Sequence, residues 1–307
     1  MSDQPRRVAV LGPTASGKSS VATAVAELEG DVELVSVDSM QVYRGMDIGT
    51  AKPTLDERAR VPHHLIDLVE PCDDFSVAEF QRAYDAVLAD LATRGRRALL
   101  VGGTGLYHRA VIDGLDIPGK WPEIRARLDA EASTDGPEAL HARLAEVDPD
   151  AAAKMEPTNT RRIVRALEVW EGSGRRFSSF GPGLDAYPPS PVTQICLRWD
   201  RDALTKRIAQ RVHRMIDDGL VDEVRRIADG AGFSRTAAQA LGYKEILAHL
   251  RGATTLDDAV ELVIVRTRQF AVRQERWFRR DPRVTWVDVE RDPVAEATPV
   301  VLDAFAG

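Results

Sequence analysis

Apolar and polar positions change period several times along this chain, and each change predicts an element. "RVAVLG" (7–12) is a short unbroken apolar run ahead of glycine, the mark of a parallel strand buried on both faces. "SGKSSVATAVAELEG" follows with helical spacing and stops at Gly30. "DVELVSVD" (31–38) predicts a second strand. "SVAEFQRAYDAVLADLATRG" (76–95) predicts a helix with Ser76 as N-cap and Gly95 as stop, and "RRALLVGG" (96–103) a third buried strand. Strand, helix, strand, helix, strand implies an α/β fold: a parallel sheet with right-handed crossovers and flanking helices.

The pattern changes near residue 118. Residues 119–186 hold amphipathic helical segments and turns without a convincing strand. They read as a helical insertion domain between two parts of one core, 1–118 and 187–307, with the Pro/Gly-rich "GPGLDAYPPSP" (181–191) as exit linker. Strand composition returns in "VTQICLRW" (192–199). One long helix is predicted over 200–230, a second from about Leu256 through Trp277, and a late strand at 283–289.

Composition narrows the class. No apolar run approaches the roughly 20 residues that span a bilayer, so no membrane partner is expected. Only four apolar residues separate "MSDQPRR" from Gly12, too few for a secretory segment, and the expected location is cytoplasmic. Cys72 and Cys196 lie in no CxxC or CxH spacing and are expected to be ordinary buried or half-buried thiols. The formal charge of −7 speaks against a nucleic-acid partner until its distribution is read. Between Arg266 and Arg283 seven arginines face only Glu275 and Asp281, a net of +5, which leaves −12 on the remainder. That segment suits a face that tracks phosphates.

The candidate chemistry begins where the first strand ends. Gly12, Pro13, Thr14, Ala15, Ser16, Gly17, Lys18 and Ser19 fit G-x-x-x-x-G-K-[ST] between a strand and a helix, so the core is P-loop NTPase-like. Backbone N–H groups converge on an anion there, the helix dipole and Lys18 add positive charge, and Ser19 can ligate Mg²⁺. A kinase or ATPase would also need an acid closing a neighbouring strand, yet "RRALLVGG" runs into Gly102-Gly103-Thr104-Gly105. The acid at a strand end on the same edge is Asp38. It reads as a general base over a nucleophile, with a helix N-cap or an indirect metal contact as alternatives. Arg207, Arg211 and Arg214 recur at i, i+4 and i+7 and share a helix face. His63 and His64 are adjacent and do not form a metal pair on one face.

Taken in order, "GPTASGKS", "VDSMQVYRGMDIGTAKP", "PHHLID", "VGGTGLY", "RRIVRALEV", "RIAQRVHRMIDDGLVDEV", "ALGYKEI" and "FAVRQERWFRR" closely resemble the bacterial tRNA dimethylallyltransferases, from about residue 8 to 290. The resemblance implies that the loop grips the diphosphate of dimethylallyl diphosphate. A C5 allyl group then moves to the exocyclic amine of the adenosine 3′ of the anticodon, and pyrophosphate leaves. It implies Asp38 as base with Thr104 beside it, Arg207 or Arg211 on the pyrophosphate, and Mg²⁺ as cofactor. It places tRNA contacts at Asp38, Ser39, Met40, Gln41 and Thr104, at Arg125, and at Arg161, Arg162, Ile163, Val164 and Arg165. Further contacts are implied at Gln239, Ala240, Leu241, Gly242, Tyr243 and Lys244, and at Val272, Arg273, Gln274, Glu275, Arg276, Trp277, Phe278 and Arg279. Tyr243 and Trp277 either stack on bases or pack in the core. The expected partner is the anticodon stem-loop of tRNA, met by a monomer. Rival readings are a small-molecule kinase, a prenyltransferase acting on free adenine nucleotides, and a tRNA-binding switch without catalysis.

Overall fold

The structure is a computed structural model that describes residues 7–181 and 183–306. Most of the "MSDQPRR" leader, and Pro182 of the exit linker, lie outside those residues. Two compact units result: one runs to Ile112 and resumes at Pro189, and the other is Asp113–Pro188. The sequence-based boundaries fell at 118/119 and 186/187.

The first unit opens with β1 (Arg7–Leu11), α1 (Lys18–Glu29), β2 (Val32–Val37), α2 (Leu55–Arg60), β3 (His63–His64), α3 (Val77–Thr93), β4 (Arg97–Gly102) and α4 (Gly105–Ile112). The second unit holds α5 (Pro122–Asp135), α6 (Pro137–Val147), α7 (Pro149–Ala152) and α8 (Thr160–Ser173). The first unit resumes with β5 (Val192–Trp199), α9 (Arg201–Asp217), α10 (Leu220–Asp229), α11 (Tyr243–Leu250), α12 (Leu256–Arg279), β6 (Val284–Val289) and α13 (Pro293–Ala306). The strands form one sheet in the order β3-β2-β4-β1-β5-β6, and every pairing is parallel.

Both faces of that sheet are covered, which is why its strands read as continuous apolar runs rather than alternating ones. Val8 and Val10 pack with Val21 and Val25 of α1 and Val301 of α13 on one face. Ala9 and Leu11 turn to the other, among Phe80, Tyr107, Val224 and Phe278. Local signals hold where the chemistry is local. Gly30 ends α1 in a left-handed conformation, φ 70°. Ser76 and Glu79 close a reciprocal capping box at the start of α3. The predicted helix over 200–230 is two helices. Gly219 at φ 99° breaks it, because that conformation suits glycine and stops the α9 hydrogen-bond ladder. The sequence pattern predicts nothing at α13, whose periodicity is interrupted by Pro299 inside the helix.

The second unit has its own core, in which Leu128, Leu140, Leu144, Ile163, Val164 and Leu167 are buried. Arg125 and Arg165 both pair with the buried Glu168, at 3.3 and 3.1 Å. Arg127 and Arg143 share Glu131 and Glu171.

Candidate functional site

The phosphate loop lies between β1 and α1, where the backbone must curl tightly. Gly12 (φ 154°) leaves no room for a side chain, since a Cβ there would sit 2.7 Å from Ser16 Oγ. Ala15 takes φ 64°, a strained value for a non-glycine residue. Side chains from three other elements hold this curl. Gln274 of α12 accepts from Thr14 N–H at 2.9 Å, Arg207 of α9 donates to Ala15 O at 2.9 Å, and Trp199 of β5 donates to Ser16 O at 2.8 Å. Arg207 also lies over the Trp199 ring, 4.3 Å from its centroid.

Beyond the loop opens a cavity of about 1040 Å³. Thr14, Ala15, Gly17, Lys18 and Ser19 line it on the loop side. Asp38, Ser39, Met40, Gln41 and Thr104 line it from the ends of β2 and β4. Arg207, Arg211 and Arg214 of α9, Gln239–Gly242, and Arg273 and Gln274 of α12 complete the predicted members. Gly12, Pro13 and Ser16 are buried behind the loop, so their contribution is backbone shape.

Two adjacent strand ends bring Asp38 and Thr104 together. Val37 pairs with Gly102, and a Cβ on Gly102 would fall 2.2 Å from Val37 O, so only glycine allows this approach. Asp38 Oδ1 accepts from Met40 N–H at 2.8 Å, and Thr104 Oγ1 accepts from Ser39 N–H at 3.3 Å. No acid follows β4, because Gly102 and Gly103 occupy that position.

Charge is concentrated opposite Asp38. Burial and the Arg211 guanidinium lower Lys18 to about 8, while Asp38 pulls it up. Burial also holds Arg211 below its usual range, with Asp38 opposing and Arg214 assisting. Arg211 makes no hydrogen bond or ion pair among the described residues, whereas Arg207 is committed to Ala15 O. Arg211 therefore has its whole guanidinium free for an anion, and Arg207 keeps its Nη1 and Nη2 donors beside the same loop.

Several supporting residues escaped the sequence reading. Lys52 is buried and donates to Tyr43 O, Asp47 (2.9 Å) and Asp67 (2.6 Å), and Arg58 joins at Asp67 (2.6 Å). Glu223 of α10 accepts from Asp47, Ile48 and Gly49 N–H at 3.0, 2.9 and 3.3 Å, and from the Tyr243 hydroxyl at 2.5 Å. Gln41 bridges Ser36 to the carbonyls of Thr50 and Ala51. Together these contacts pin residues 41–67 against the cavity wall.

Some expectations change. Tyr243 is fully buried and bonded to Glu223, so it does not stack on a base. Phe278, Ile163 and Val164 are core residues with no surface for a tRNA contact. Gln274 spends its amide on Thr14 N–H and Gly103 O (2.9 Å each). Trp277 is half-buried, and its ring lies 2.2 Å from where a Cβ on Gly105 would stand. Val272 is half-buried, and Lys244 is exposed and bonded to Gln239 at 2.8 Å.

The basic stretch is partly neutralised. Arg266 pairs with Glu245 (2.5 Å), Arg279 with Glu275, and Arg283 with Asp281 (2.7 Å). Arg268, Arg273, Arg276 and Arg280 are exposed, with no ion pair among the described residues. In the second unit, Arg125 and Arg165 are taken by Glu168, while Arg161 and Arg162 are exposed at the start of α8. Cys196 is buried and its thiol is pushed up by desolvation, but Cys72 is exposed, contrary to expectation. His64 bonds Glu33 at 2.7 Å and His63 bonds Val61 O at 2.7 Å. No metal-binding group of three or more His, Cys, Asp or Glu occurs among the described residues, and no helix there is long and apolar enough to cross a membrane.

Comparison with known proteins identifies the family. A family model described as IPP transferase matches residues 41–281. A tRNA dimethylallyltransferase of Salinispora tropica is 51% identical over 300 residues, 97% of this chain and 93% of the relative. That of Thermobifida fusca is 52% identical over 287 residues, 91% and 89% of the two chains. Among solved structures, the tRNA isopentenylpyrophosphate transferase of Bacillus halodurans aligns with TM-score 0.69 at 38% identity, covering 99% of this chain and 97% of the other. A eukaryotic dimethylallyltransferase acting on tRNA aligns with TM-score 0.78 at 26% identity, covering 96% and 77%. The family model over residues 41–281 and this likeness over nearly every residue make the chain a member of the IPP transferase family.

Proposed function

We infer that this chain is a tRNA dimethylallyltransferase: it moves a dimethylallyl group from dimethylallyl diphosphate to N6 of the adenosine 3′ of the anticodon and releases pyrophosphate. The observation that carries the reading is the opposition of Lys18 and Arg211 to Asp38 in one cavity. An aromatic amine is a weak nucleophile because its lone pair is delocalised into the ring. As the C–N bond forms and the allylic C–O bond breaks, Asp38 takes the amine proton and the phosphate loop, Lys18 and Arg211 take the leaving charge. Carbon is transferred and phosphorus is not, which suits a core without a metal acid after β4. The kinase reading lacks that acid and is not favoured.

Ser19, exposed in the first turn of α1, is the residue that would hold Mg²⁺. The donor set fits: one hydroxyl is enough for an ion that keeps waters and takes its other oxygens from a diphosphate. When bound, Mg²⁺ supplies further neutralisation of the leaving group.

A target base inside a stem-loop must leave its stack to be alkylated. Asp38–Gln41, Thr104 and Gln239–Gly242 would receive it, and the exposed Arg161, Arg162, Arg273 and Arg276 would meet phosphates. These arginines favour tRNA over a free nucleotide. The proposed working form is a cytoplasmic monomer. The experiment is incubation of labelled dimethylallyl diphosphate with tRNA, AMP or ATP. Label in tRNA alone is expected, and label in AMP or ATP alone overturns the assignment.

Arg273→Ala combined with Arg276→Ala is expected to weaken tRNA binding and to reduce the slope of log K against log salt by about 1 per lost contact. Arg279 is the poorer choice because Glu275 already neutralises it. Filter binding between about 50 and 200 mM salt measures the slope. An unchanged slope would remove this face of α12 from the tRNA path.

A further inference from the structure

Gln274 stands apart from the other two side chains that hold the phosphate loop. Arg207 and Trp199 direct their side-chain hydrogen bonds to that loop alone, at Ala15 O and Ser16 O. Gln274 reaches two loops. Its Oε1 accepts from Thr14 N–H at 2.9 Å, and its Nε2 donates to Gly103 O at 2.9 Å. Gly103 precedes Thr104, whose hydroxyl accepts from the backbone N–H of Ser39, next to Asp38. The residue is only 7% exposed, so both arms are spent where an unmade hydrogen bond is costly. The space is shaped for it: a Cβ on Gly103 would lie 2.3 Å from Gln274 Nε2 and 2.9 Å from Gly12 O. One amide therefore clamps the donor loop to the acceptor loop.

Resting on the prenyl-transfer reading above, we propose that Gln274 is a positioning residue that fixes the spacing between the diphosphate cradle and the Asp38–Thr104 pair, rather than a reader of the tRNA base. Transfer requires the allylic carbon and the amine nitrogen to sit about 3–3.5 Å apart, and slack between the loops that carry their partners erodes that approach. The assignment separates Gln274 from its neighbours on α12. Arg273 and Arg276 face solvent and serve the macromolecule, and Gln274 faces inward and serves the geometry of the reaction.

The test uses the full chain and three measurements: titration with inorganic pyrophosphate and Mg²⁺ without tRNA, steady-state transfer to tRNA, and the same titration as a function of pH. Gln274→Met has similar length and neither arm. It is expected to weaken pyrophosphate binding about 10-fold and to lower kcat about 10- to 100-fold, with the KM for tRNA within about twofold of wild type. Gln274→Glu supplies the reading that general loosening cannot. As a carboxylate it faces Gly103 O and the diphosphate with negative charge; protonated, it has one acceptor and one donor arm, as the amide does. Burial against a carbonyl raises a carboxyl pKa. The wild-type to Gln274→Glu affinity ratio is therefore expected to fall towards 1 as pH is lowered to about 5.5, while the Gln274→Met ratio stays level. Should Gln274→Met fail to fold, the pH response of Gln274→Glu decides alone. Unchanged pyrophosphate affinity with a raised tRNA KM would assign Gln274 to base recognition and overturn the proposal, as would a Gln274→Glu ratio that ignores pH. A wild-type chain that transfers no prenyl group counts against the enzymatic reading, whereas the titrations still decide whether Gln274 holds the loop.

Discussion

Asp38→Asn is expected to lower kcat about 10²- to 10⁴-fold, the usual contribution of a positioned general base, while leaving the affinities for pyrophosphate and tRNA close to wild type. Asparagine is the informative substitution. Its Oδ1 can still accept from Met40 N–H, the 2.8 Å bond that sets the turn after β2, so the backbone at Ser39 and the contact to Thr104 survive. What asparagine removes is basicity and charge. The loss of charge also withdraws the pull that raises Lys18, so the variant shifts the Lys18 titration downward, away from 8. Single-turnover transfer with saturating tRNA isolates the chemical step from binding. Turnover within a few-fold of wild type would reassign the proton to another acceptor. Glu27 and Glu57 are the other carboxylates lining the cavity.

Asp38 was legible in the sequence because two local facts converge on it: an apolar run ends there, and strand ends of a parallel sheet line the crevice. The phosphate loop was legible for the same reason, being one continuous motif between a strand and a helix. The difference between Arg207 and Arg211 was not. They share a helix face, and only the tertiary structure shows Arg207 lying over Trp199 and holding the loop through Ala15 O, 192 residues away, with Arg211 unpaired among the described residues. Glu223 and Lys52 gave no signal, because a buried charge looks like any surface charge until its donors are known. Glu223 finds its backbone donors some 174–176 residues away. Tyr243 was ambiguous for a related reason. A tyrosine after a glycine suits base stacking or a core equally, and the buried carboxylate it meets decides. The arginine-rich stretch was legible as charge but not as free charge, since the acids that neutralise Arg266, Arg279 and Arg283 come partly from another helix.

Lys18→Met is expected to cost about 10²- to 10³-fold in kcat/KM for the prenyl donor, the usual cost of removing one preorganised donor to a developing anion. It is also expected to raise the thermal stability of the ligand-free protein at pH 7. The sign follows from the direction of the shift. Lys18 titrates at about 8 in the folded chain against 10.5 for the free side chain, so folding disfavours its charge. Between those values the unfolded chain binds more protons, and stability rises with pH; below about 8 the full penalty of the buried charge is present. Removing the charge relieves that penalty and the repulsion from Arg211. The diphosphate reverses the balance, because an anion beside Lys18 favours the protonated form. Donor affinity attributable to Lys18 should therefore be level below about pH 8 and fall by up to tenfold per pH unit above it. Lys18→Arg, which does not titrate in this range, should lack the break. Calorimetric melts of the free protein and pyrophosphate titrations from pH 6.5 to 9.5 read both effects. Lower stability in Lys18→Met, or a titration with no break near pH 8, would mean that Lys18 is solvated rather than held against Arg211 in wait for an anion.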